Sequence, residues 1–247
     1  MRLAAIILGR AGSKGVPGKN TRDIAGKPCV VWTIEAALAA QRAGAVAMVA
    51  VSTDDERLRA IAAEHGVVAV PRPAALAHDT ARVDDAARHA LLELEGALGR
   101  FDGACILYAN VPVRPEGAIE RACRLLVESG ADSVQSFQPV GKHHPWWTCV
   151  VESGGAVRPW EGSTMFHGVF RRQDLPPAHM PDGAVMVVSR AALMLEVPSV
   201  APGPHAFLGL DRRGIVNTEG SVVDIDSELD VHVASSVLAQ RLRERGA

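Results

Sequence analysis

Short apolar runs alternate with segments of helical periodicity along the first half of the chain. The apolar runs, which read as buried strands, cover residues 3–8, 45–52, 67–70 and 103–111. Between and after them, helical patterns occupy residues 25–44, 53–66, 83–94 and 117–129. Continuous apolar strands joined by helices are typical of a parallel sheet covered on both faces. The pattern predicts an α/β fold with a doubly wound, mostly parallel sheet.

Cap and stop residues define the expected ends of the first two helices. Pro28 is expected in the first turn of the first helix, and Gly44 just beyond its end. Thr53 or Asp54 is expected to cap the second helix, which Gly66 ends. The intervening loops then follow the carboxyl ends of strands, where sheets of this kind bind their ligands.

The alternation breaks in the third quarter of the chain. Residues 139–182 hold three of the four tryptophans and several prolines but show no helical period, which predicts a β-rich insertion. Residues 1–138 and 183–247 would form one domain around this insertion. Regular structure resumes at 184–189, which reads as a strand.

The last part of the chain predicts a strand followed by a helix. The strand is expected through "VVDID", and the helix is expected to begin with Ser227 and Asp230 in the spacing of a capping box. In a strand, residues two apart share a face, so Asp224 and Asp226 would project side by side. Two adjacent carboxylates repel each other unless a cation lies between them. Mg²⁺ fits, because it prefers oxygen ligands and is commonly held by one or two carboxylates together with substrate phosphates.

A glycine-rich loop follows the first apolar run. The segment "IILGRAGSKGVPGKN" contains four glycines and the cations Arg10, Lys14 and Lys19. Backbone N–H groups of such a turn, together with cations, can hold phosphates. The loop is not a Walker A motif, because Lys19 is followed by Asn20 rather than by Ser or Thr. The alternative to a phosphate-binding loop is a flexible loop with solvated cations. The alternative to a magnesium site at Asp224 and Asp226 is a solvated acidic pair.

Composition limits the partners of the protein. The chain has 247 residues, of which 48% are hydrophobic and 22% charged, and its formal net charge is −2. It therefore lacks the basic surplus of a general nucleic-acid binder. No apolar run approaches the ~20 residues of a membrane span, and the four cysteines show no C-x-x-C spacing. We expect a cytoplasmic protein without a nucleic-acid or membrane partner.

Seven segments occur in an order that resembles the acylneuraminate cytidylyltransferase family, whose members make CMP-sialic acids. They are "AIILGRAGSKGVPGKN", "VSTDDERLRAIAAEHGV", "RPAALAHDTA", "LYANVPVRP", "HHPWW", "PDGAVMV" and "DIDSELD". The resemblance implies a Rossmann-like nucleotidyltransferase fold with a small insertion that mediates homodimerisation. It also implies a Mg²⁺-dependent reaction of CTP with a keto-acid sugar, which yields a CMP-sugar and pyrophosphate.

The resemblance also implies roles for individual residues. The nucleotide would be bound by Leu8, Gly9, Arg10, Ser13, Lys19, Asn20 and Arg72. Asp224 and Asp226 would ligate magnesium, and Arg10, Lys19 and Asp226 would form the catalytic group. Tyr108, Asn110 and Arg172 are the expected acceptor contacts, with an interface or surface position as the alternative for Arg172.

The acceptor side departs from the family pattern. "LYANVPVR" stands where many relatives carry a Gln/Tyr-Pro-Thr-Ser-Pro-Leu-Arg run, and Trp147 stands where some have lysine. N-acetylneuraminate, legionaminate, pseudaminate and other ulosonic acids therefore stay open as acceptors. Two alternatives remain: CMP transfer to an eight-carbon acid such as Kdo, and a nucleotide-binding module without catalysis.

Overall fold

A seven-stranded sheet forms the centre of the molecule, in a computed structural model that describes residues 1–12 and 15–246. Within these residues the strands are β1 (Leu3–Leu8), β2 (Asp23–Ile24), β3 (Lys27–Pro28), β4 (Met48–Thr53), β5 (Val68–Pro71), β6 (Gly103–Tyr108), β7 (Ser133–Pro139), β8 (Cys149–Val151), β9 (Val157–Pro159), β10 (His179–Ser189) and β11 (Arg212–Val216). The α-helices are α1 (Cys29–Arg42), α2 (Glu56–Glu64), α3 (Val83–Leu98), α4 (Ala118–Ser129), α5 (Arg190–Leu193) and α6 (Glu228–Gly246).

The strand order of the central sheet is β11-β7-β10-β6-β1-β4-β5. Strand β10 runs antiparallel to both of its neighbours, and the other pairings in this sheet are parallel. This confirms the predicted α/β fold with a mostly parallel sheet. The chain leaves β1 toward β4 and β5, then crosses back to β6 on the other side of β1. A switch of direction of this kind opens a crevice at the carboxyl ends of β1 and β6.

Helices cover both faces of the sheet because its strands are apolar on both sides. On one face α1, α2 and α4 bury residues such as Ile34, Leu58 and Leu126 against the sheet. On the other face α3 and α5 bury Leu91 and Leu193. The two layers hold the strand ends rigid beneath the crevice. Among the described residues, no helix combines the length and apolar composition that a bilayer crossing requires.

A third apolar cluster joins the two ends of the chain. Val16 of the N-terminal loop packs with Val113, Ile225 and residues of α6 that include Val231 and Leu238. All of these side chains are buried. Residues 222–226, which contain Asp224 and Asp226, are called the acidic segment below. The burial of a few branched side chains, at about 1.5–3 kcal/mol each, therefore holds the glycine-rich loop against this segment.

Several predicted boundaries needed correction. Pro28 precedes α1 as its N-cap rather than lying in its first turn. Asp55, not Thr53 or Asp54, caps α2, because its side chain accepts hydrogen bonds from the backbone N–H groups of Arg57 and Leu58. The capping interaction of Ser227 with Asp230 is confirmed, with Ser227 Oγ 2.7 Å from Asp230 Oδ2.

The predicted C-terminal strand was wrong. Residues 222–226 form no strand, and the ladder there is a single antiparallel bridge between Val113 and Val223. The edge strand that pairs with β7 is instead β11, which the sequence pattern did not reveal. Four of its five residues, "RRGIV", are exposed and two are arginines, so the strand lacks a continuous apolar run.

The insertion contains less strand than its composition predicted. It consists of the β8–β9 hairpin and short 3-10 helices, of which residues 145–147 and 165–168 form two. Strand β10 already begins at His179, which pairs with Pro139 of β7, so the central sheet extends into the range assigned to the insertion. That residues 139–182 form a separate unit remains a prediction.

Candidate active site

A cavity of about 200 Å³ lies in the crevice at the ends of β1 and β6. Leu8 and Tyr108, which are register partners, are the last residues of these two strands, and both line the cavity. The rest of its wall is formed by Gly9, Arg10, Gly12, Lys19, Asn20, Arg72, Leu76, His78, Ala81, Arg82, Val83, Ala86 and Asn110. The structure thus brings together, on one wall, the predicted nucleotide contacts that it describes. Ser13 lies outside the described residues.

The glycine-rich loop is held in place by hydrogen bonds to its own backbone. The buried side chain of Asn20 donates from Nδ2 to the carbonyl oxygen of Arg10 at 3.0 Å. The backbone N–H of Ala11 donates to Asp54 Oδ1 at 2.8 Å. Gly9 has no room for a side chain, because a Cβ there would lie 2.9 Å from Leu58 Cδ1. The loop therefore starts from a rigid base at the cavity floor.

Lys19 connects this loop to the C-terminal acidic segment. Its Nζ lies 2.7 Å from Asp226 Oδ1 and donates to the carbonyl oxygen of Ile225 at 2.8 Å. The Lys19 side chain is 16% exposed, whereas that of Asp226 is 75% exposed. One oxygen of Asp226 therefore faces the ammonium group while the carboxylate as a whole stays open to solvent.

Asn110 connects the acidic segment to the end of β6. Its Nδ2 donates to Asp224 Oδ1 and, at 3.2 Å, to the carbonyl oxygen of Ile225. The N–H of Ile225 returns a hydrogen bond to the Asn110 carbonyl oxygen at 2.9 Å. These contacts hold the acidic segment in place although it does not form a strand. Asp224 and Asp226 therefore lie at the rim of the sheet, as predicted.

Burial and charge perturb Asp224. Desolvation, then the negative charge of Asp226, raises the pKa of Asp224 from 3.8 to about 6, and Lys19 opposes this shift. The pKa of Tyr108 is also raised, chiefly by burial and further by Asp224. A partly buried carboxylate that repels its neighbour is a place where a bound cation would lower the free energy.

The other predicted cations, Arg10 and Arg72, also line the cavity. Arg10 Nη1 forms an ion pair with Asp79 Oδ1 at 2.7 Å. Arg72 is buried, and it donates from Nη2 to the carbonyl oxygen of Ser52 at 2.7 Å. Burial lowers the pKa of Arg72, although its guanidinium remains charged at neutral pH. Arg72 is thus fixed in orientation, whereas the pair of Arg10 with Asp79 is accessible to solvent.

A larger cavity of about 450 Å³ adjoins the first one. Tyr108 lines both, together with Ala81, Arg82 and Val83. The other residues of this second cavity are Asp84, Gln135, Ser136, Pro181, Gly183, Val185, Met186, Pro204, His205, Phe207 and Leu208. Two adjoining cavities that share a wall are suited to two substrates that react with each other.

Arg172 is not among the residues that line either of these two cavities. It lies in a short 3-10 helix of the insertion, and its Nη2 forms an ion pair with Glu219 Oε2 at 2.8 Å. Among the residues of the first cavity that sequence reasoning missed, two carry polar side chains, His78 and Arg82. Both belong to the stretch "HDTAR", which has no spacing motif of its own and reaches the crevice only through the turn that precedes α3.

The acidic segment has the donor set of a magnesium site. Among the described residues, no group of three or more His, Cys, Asp or Glu side chains is arranged to hold a metal ion. Two carboxylates are nevertheless sufficient for Mg²⁺, because this ion keeps water and substrate phosphate oxygens in its shell. The mutual repulsion of Asp224 and Asp226 fits such an ion.

Relatives of the chain are enzymes that activate acidic sugars. It is 31% identical over 207 residues to the N-acylneuraminate cytidylyltransferase of Streptococcus agalactiae serotype III, a match that covers 84% of this chain and 48% of that protein. It is 29% identical over 232 residues to the CMP-N,N'-diacetyllegionaminic acid synthase of Legionella pneumophila, which covers 93% of both proteins. The chain thus spans about half the length of the N-acylneuraminate cytidylyltransferases that it matches.

A solved structure and a family model agree with these relatives. The fold is similar to that of a CMP-2-keto-3-deoxy-manno-octonic acid synthetase complexed with CTP, with a TM-score of 0.69 and 19% identity, over 98% of this chain and 100% of that one. The sequence model described as "Cytidylyltransferase" matches residues 4–146, which include the glycine-rich loop and the strand that ends at Tyr108. The chain belongs to the cytidylyltransferase family.

Proposed function

We propose that the protein transfers CMP from CTP to the anomeric hydroxyl of a nonulosonic acid, with release of pyrophosphate. The observation that carries this proposal is the link between the nucleotide cavity and the acidic pair. Lys19 and Asn110 both line the cavity, and each contacts one of the two carboxylates, Asp226 and Asp224 respectively. Phosphate-binding cations and metal-binding acids thus converge on one bound triphosphate.

Each residue of the site has a role in this reaction. The backbone at Leu8 and Gly9, with Asn20 and the fixed guanidinium of Arg72, binds and orients the nucleoside. Arg10 and Lys19 bind the triphosphate and stabilise the charge that develops on the leaving pyrophosphate. Both cations form ion pairs with carboxylates in the free protein, at 2.7 Å in each case, so they are held at the cavity rim before the substrate arrives.

We propose that Asp224 and Asp226 hold Mg²⁺. When bound, the ion supplies neutralising charge to the phosphate oxygens. The raised pKa of Asp224 supports this proposal, because a divalent cation offsets the repulsion that perturbs it. Asn110 keeps Asp224 oriented, and Lys19 keeps Asp226 at the rim.

The second cavity is the proposed acceptor site. Tyr108 forms part of the wall between the two cavities, which supports its proposed contact with the acceptor, and Asn110 lies two residues further on. Five apolar residues of the second cavity, Pro181, Val185, Met186, Phe207 and Leu208, favour an acceptor that carries N-acyl or deoxy groups. CMP transfer to an eight-carbon ulosonic acid is the second candidate, because the fold resembles a synthetase of that class over its whole length.

We also propose that the protein is a homodimer whose subunits meet through the insertion. Large apolar side chains are exposed there, among them Phe170 at 83%, Val151 at 69% and Trp160 at 65%. Their burial against a second copy would remove an apolar patch that monomeric proteins seldom leave in water. Arg172 belongs to this segment, so an acceptor contact by Arg172 remains a proposal tied to the dimer.

A cytoplasmic location is proposed because CTP is a cytoplasmic metabolite.

Pyrophosphate release tests the reaction. The purified protein is supplied with Mg²⁺, one nucleoside triphosphate at a time, and N-acetylneuraminate, N,N'-diacetyllegionaminate or Kdo. We expect release with CTP and a nonulosonic acid, and its loss when the metal is chelated. Release with Kdo alone would favour the second candidate. Folded protein that releases no pyrophosphate with any combination would contradict the enzyme assignment and favour a nucleotide-binding module.

A further inference from the structure

Arg82 lies on the wall that separates the nucleotide cavity from the acceptor cavity. It lines both cavities, and its side chain is 41% exposed. It directly precedes α3 as the N-cap residue of that helix. Its guanidinium group is therefore accessible from either side of the place where two substrates would meet.

One edge of the Arg82 guanidinium is fixed by a buried carboxylate. Nε and Nη2 each donate to one oxygen of Asp84 at 2.9 Å, and the Asp84 side chain is only 3% exposed. Nη2 also donates to the carbonyl oxygens of Gly203 at 3.3 Å and Pro204 at 3.2 Å. Among the described residues, Nη1 has no hydrogen-bond partner. The guanidinium is thus oriented in advance, with a free donor group.

Asp84 is shared with a second arginine that does not reach the cavities. Arg88 Nη2 lies 3.2 Å from Asp84 Oδ2, and Arg88 Nη1 lies 2.6 Å from Asp85 Oδ1. Arg88 is absent from the residues that line the two cavities. Arg82 Nε also lies 4.0 Å from Asp85 Oδ2, so two arginines face two carboxylates in this cluster. Arg82 therefore contributes its Nη1 donor group, rather than an unpaired charge, toward a further anion.

The chemistry of the acceptor determines where its carboxylate must lie. In a 2-keto acid sugar, the anomeric carbon carries both the attacking hydroxyl and the carboxylate. The carboxylate must therefore lie beside the nucleotide, at the junction of the two cavities. Arg82 is at this junction within a single chain, whereas Arg172 of the same chain lines neither cavity and pairs with Glu219.

We infer that Arg82 binds the carboxylate of the acceptor acid and so orients its anomeric hydroxyl toward the nucleotide. This inference rests on the proposed function, and it identifies a specificity residue that the sequence analysis did not single out. A guanidinium with a free donor suits this task, because charge-assisted hydrogen bonds are the strong ones and their geometry is directional. Arg10 and Lys19 remain available for the triphosphate.

Binding measurements separate this inference from the reaction itself. The probes are N-acetylneuraminate and N,N'-diacetyllegionaminate, each as the free acid and as its C1 methyl ester. Calorimetry with a non-transferring CTP analogue and Mg²⁺ measures their affinity for the wild-type protein, Arg82→Gln, Arg82→Lys and Arg57→Gln. The last is a control at an exposed arginine of α2 that lines neither cavity. The ratio of acid to ester affinity is taken within each variant, so it does not depend on small losses of stability. Pyrophosphate release is measured in parallel.

We expect the wild-type protein and Arg57→Gln to bind an acid about tenfold or more tightly than its ester. Arg82→Gln should lose most of this preference, and Arg82→Lys should keep part of it, because lysine retains the charge without the fixed orientation. An Arg82→Gln variant that keeps the preference, or a wild-type protein that binds no acid, would overturn the inference. Binding with the expected preference but without turnover would leave the inference standing and refute the proposed reaction.

Discussion

Gly15 and Asp226 lie so close together that a Cβ on Gly15 would be 2.5 Å from the carbonyl oxygen of Asp226. This approach brings the backbone of the N-terminal loop against the backbone of the acidic segment. It lies in the same region as the contact between Lys19 and Asp226, which joins the same two segments through side chains. The site therefore depends on the absence of a side chain at residue 15.

Gly15→Ala should reduce activity while the protein remains folded. The added methyl group must push the loop away from Asp226, and a displacement of about 1 Å can cost about a hundredfold in rate. Steady-state kinetics should show this loss, with the melting temperature close to that of the wild type. Gly96→Ala is the control, because a Cβ at Gly96 meets no atom within 4 Å. Unchanged kinetics in Gly15→Ala would show that the loop moves freely.

Asp226→Asn should lower turnover far more than stability. The Asp226 side chain is 75% exposed, and exposed ion pairs contribute about 0–1 kcal/mol, so the melting temperature should fall by less than about 4 °C. Turnover should fall by about a hundredfold or more, because one carboxylate of the proposed metal site is lost. Glu228→Gln is the matched control, since it removes a neighbouring exposed ion pair with Arg22. Equal effects of both substitutions would indicate a structural role for Asp226.

Asp224→Asn should stabilise the metal-free protein at neutral pH. The folded-state pKa of Asp224, about 6, lies above its ordinary 3.8, so folding disfavours the charged form. The resulting stability is fully present below about pH 4 and is lost as the pH rises through about 6. The variant should therefore exceed the wild type by about 1–2 kcal/mol above pH 6, after allowance for partial exposure, and the difference should vanish in acid.

Urea unfolding in the presence of a chelator, over this pH range, measures the effect of Asp224→Asn. Added Mg²⁺ should then stabilise the wild-type protein more than the variant, because the ion binds the folded state through the lost carboxylate. A stability difference that does not change with pH would mean that Asp224 is not perturbed in the way described.

Asp182→Ala should destabilise the bulge of β10 beside the second cavity. Asp182 is buried, and it accepts hydrogen bonds from Ser136 Oγ, from the N–H of Ala184 at 3.0 Å and from Asn217 Nδ2 at 2.7 Å. Removal of the carboxylate leaves buried donors unpaired, at a cost of about 1–3 kcal/mol. Thermal unfolding should show this cost, and Asp182→Asn should recover part of it. Equal stability of the alanine variant and the wild type would contradict the role of this network.

Phe170→Ser combined with Trp160→Ser should dissociate the proposed dimer. Both side chains are large, apolar and exposed in the isolated chain, so their loss removes anchors from the interface. Sedimentation velocity should detect a monomer at concentrations at which the wild type is dimeric. Leu229→Ser is the control, because this residue is 69% exposed on α6, outside the insertion. A dimer that survives the double substitution would place the interface elsewhere.

Local patterns in the sequence were sufficient for the fold class and for most of its helices. Apolar runs and capping residues act over a few positions. The helices predicted over 83–94 and 117–129 were therefore found, with bounds of 83–98 and 118–129, and so was the capping of α6 by Ser227 and Asp230. The side-chain types of "GRAGSKGVPGKN" likewise predict that it binds an anion, and this stays a prediction. Such features need no knowledge of distant residues.

Only the tertiary structure decided which residues share a site. The antiparallel direction of β10 depends on pairing with β6 and β7 rather than on its own apolar pattern. The aspartate segment looks like a strand but is instead held by Asn110, more than one hundred positions away along the chain. Arg82 reaches the junction of the two cavities while Arg172 pairs with Glu219, a distinction that no local pattern carries. Which distant segments come into contact depends on how the helices pack on the two faces of the sheet. That packing is a property of the whole core and not of any short stretch of sequence.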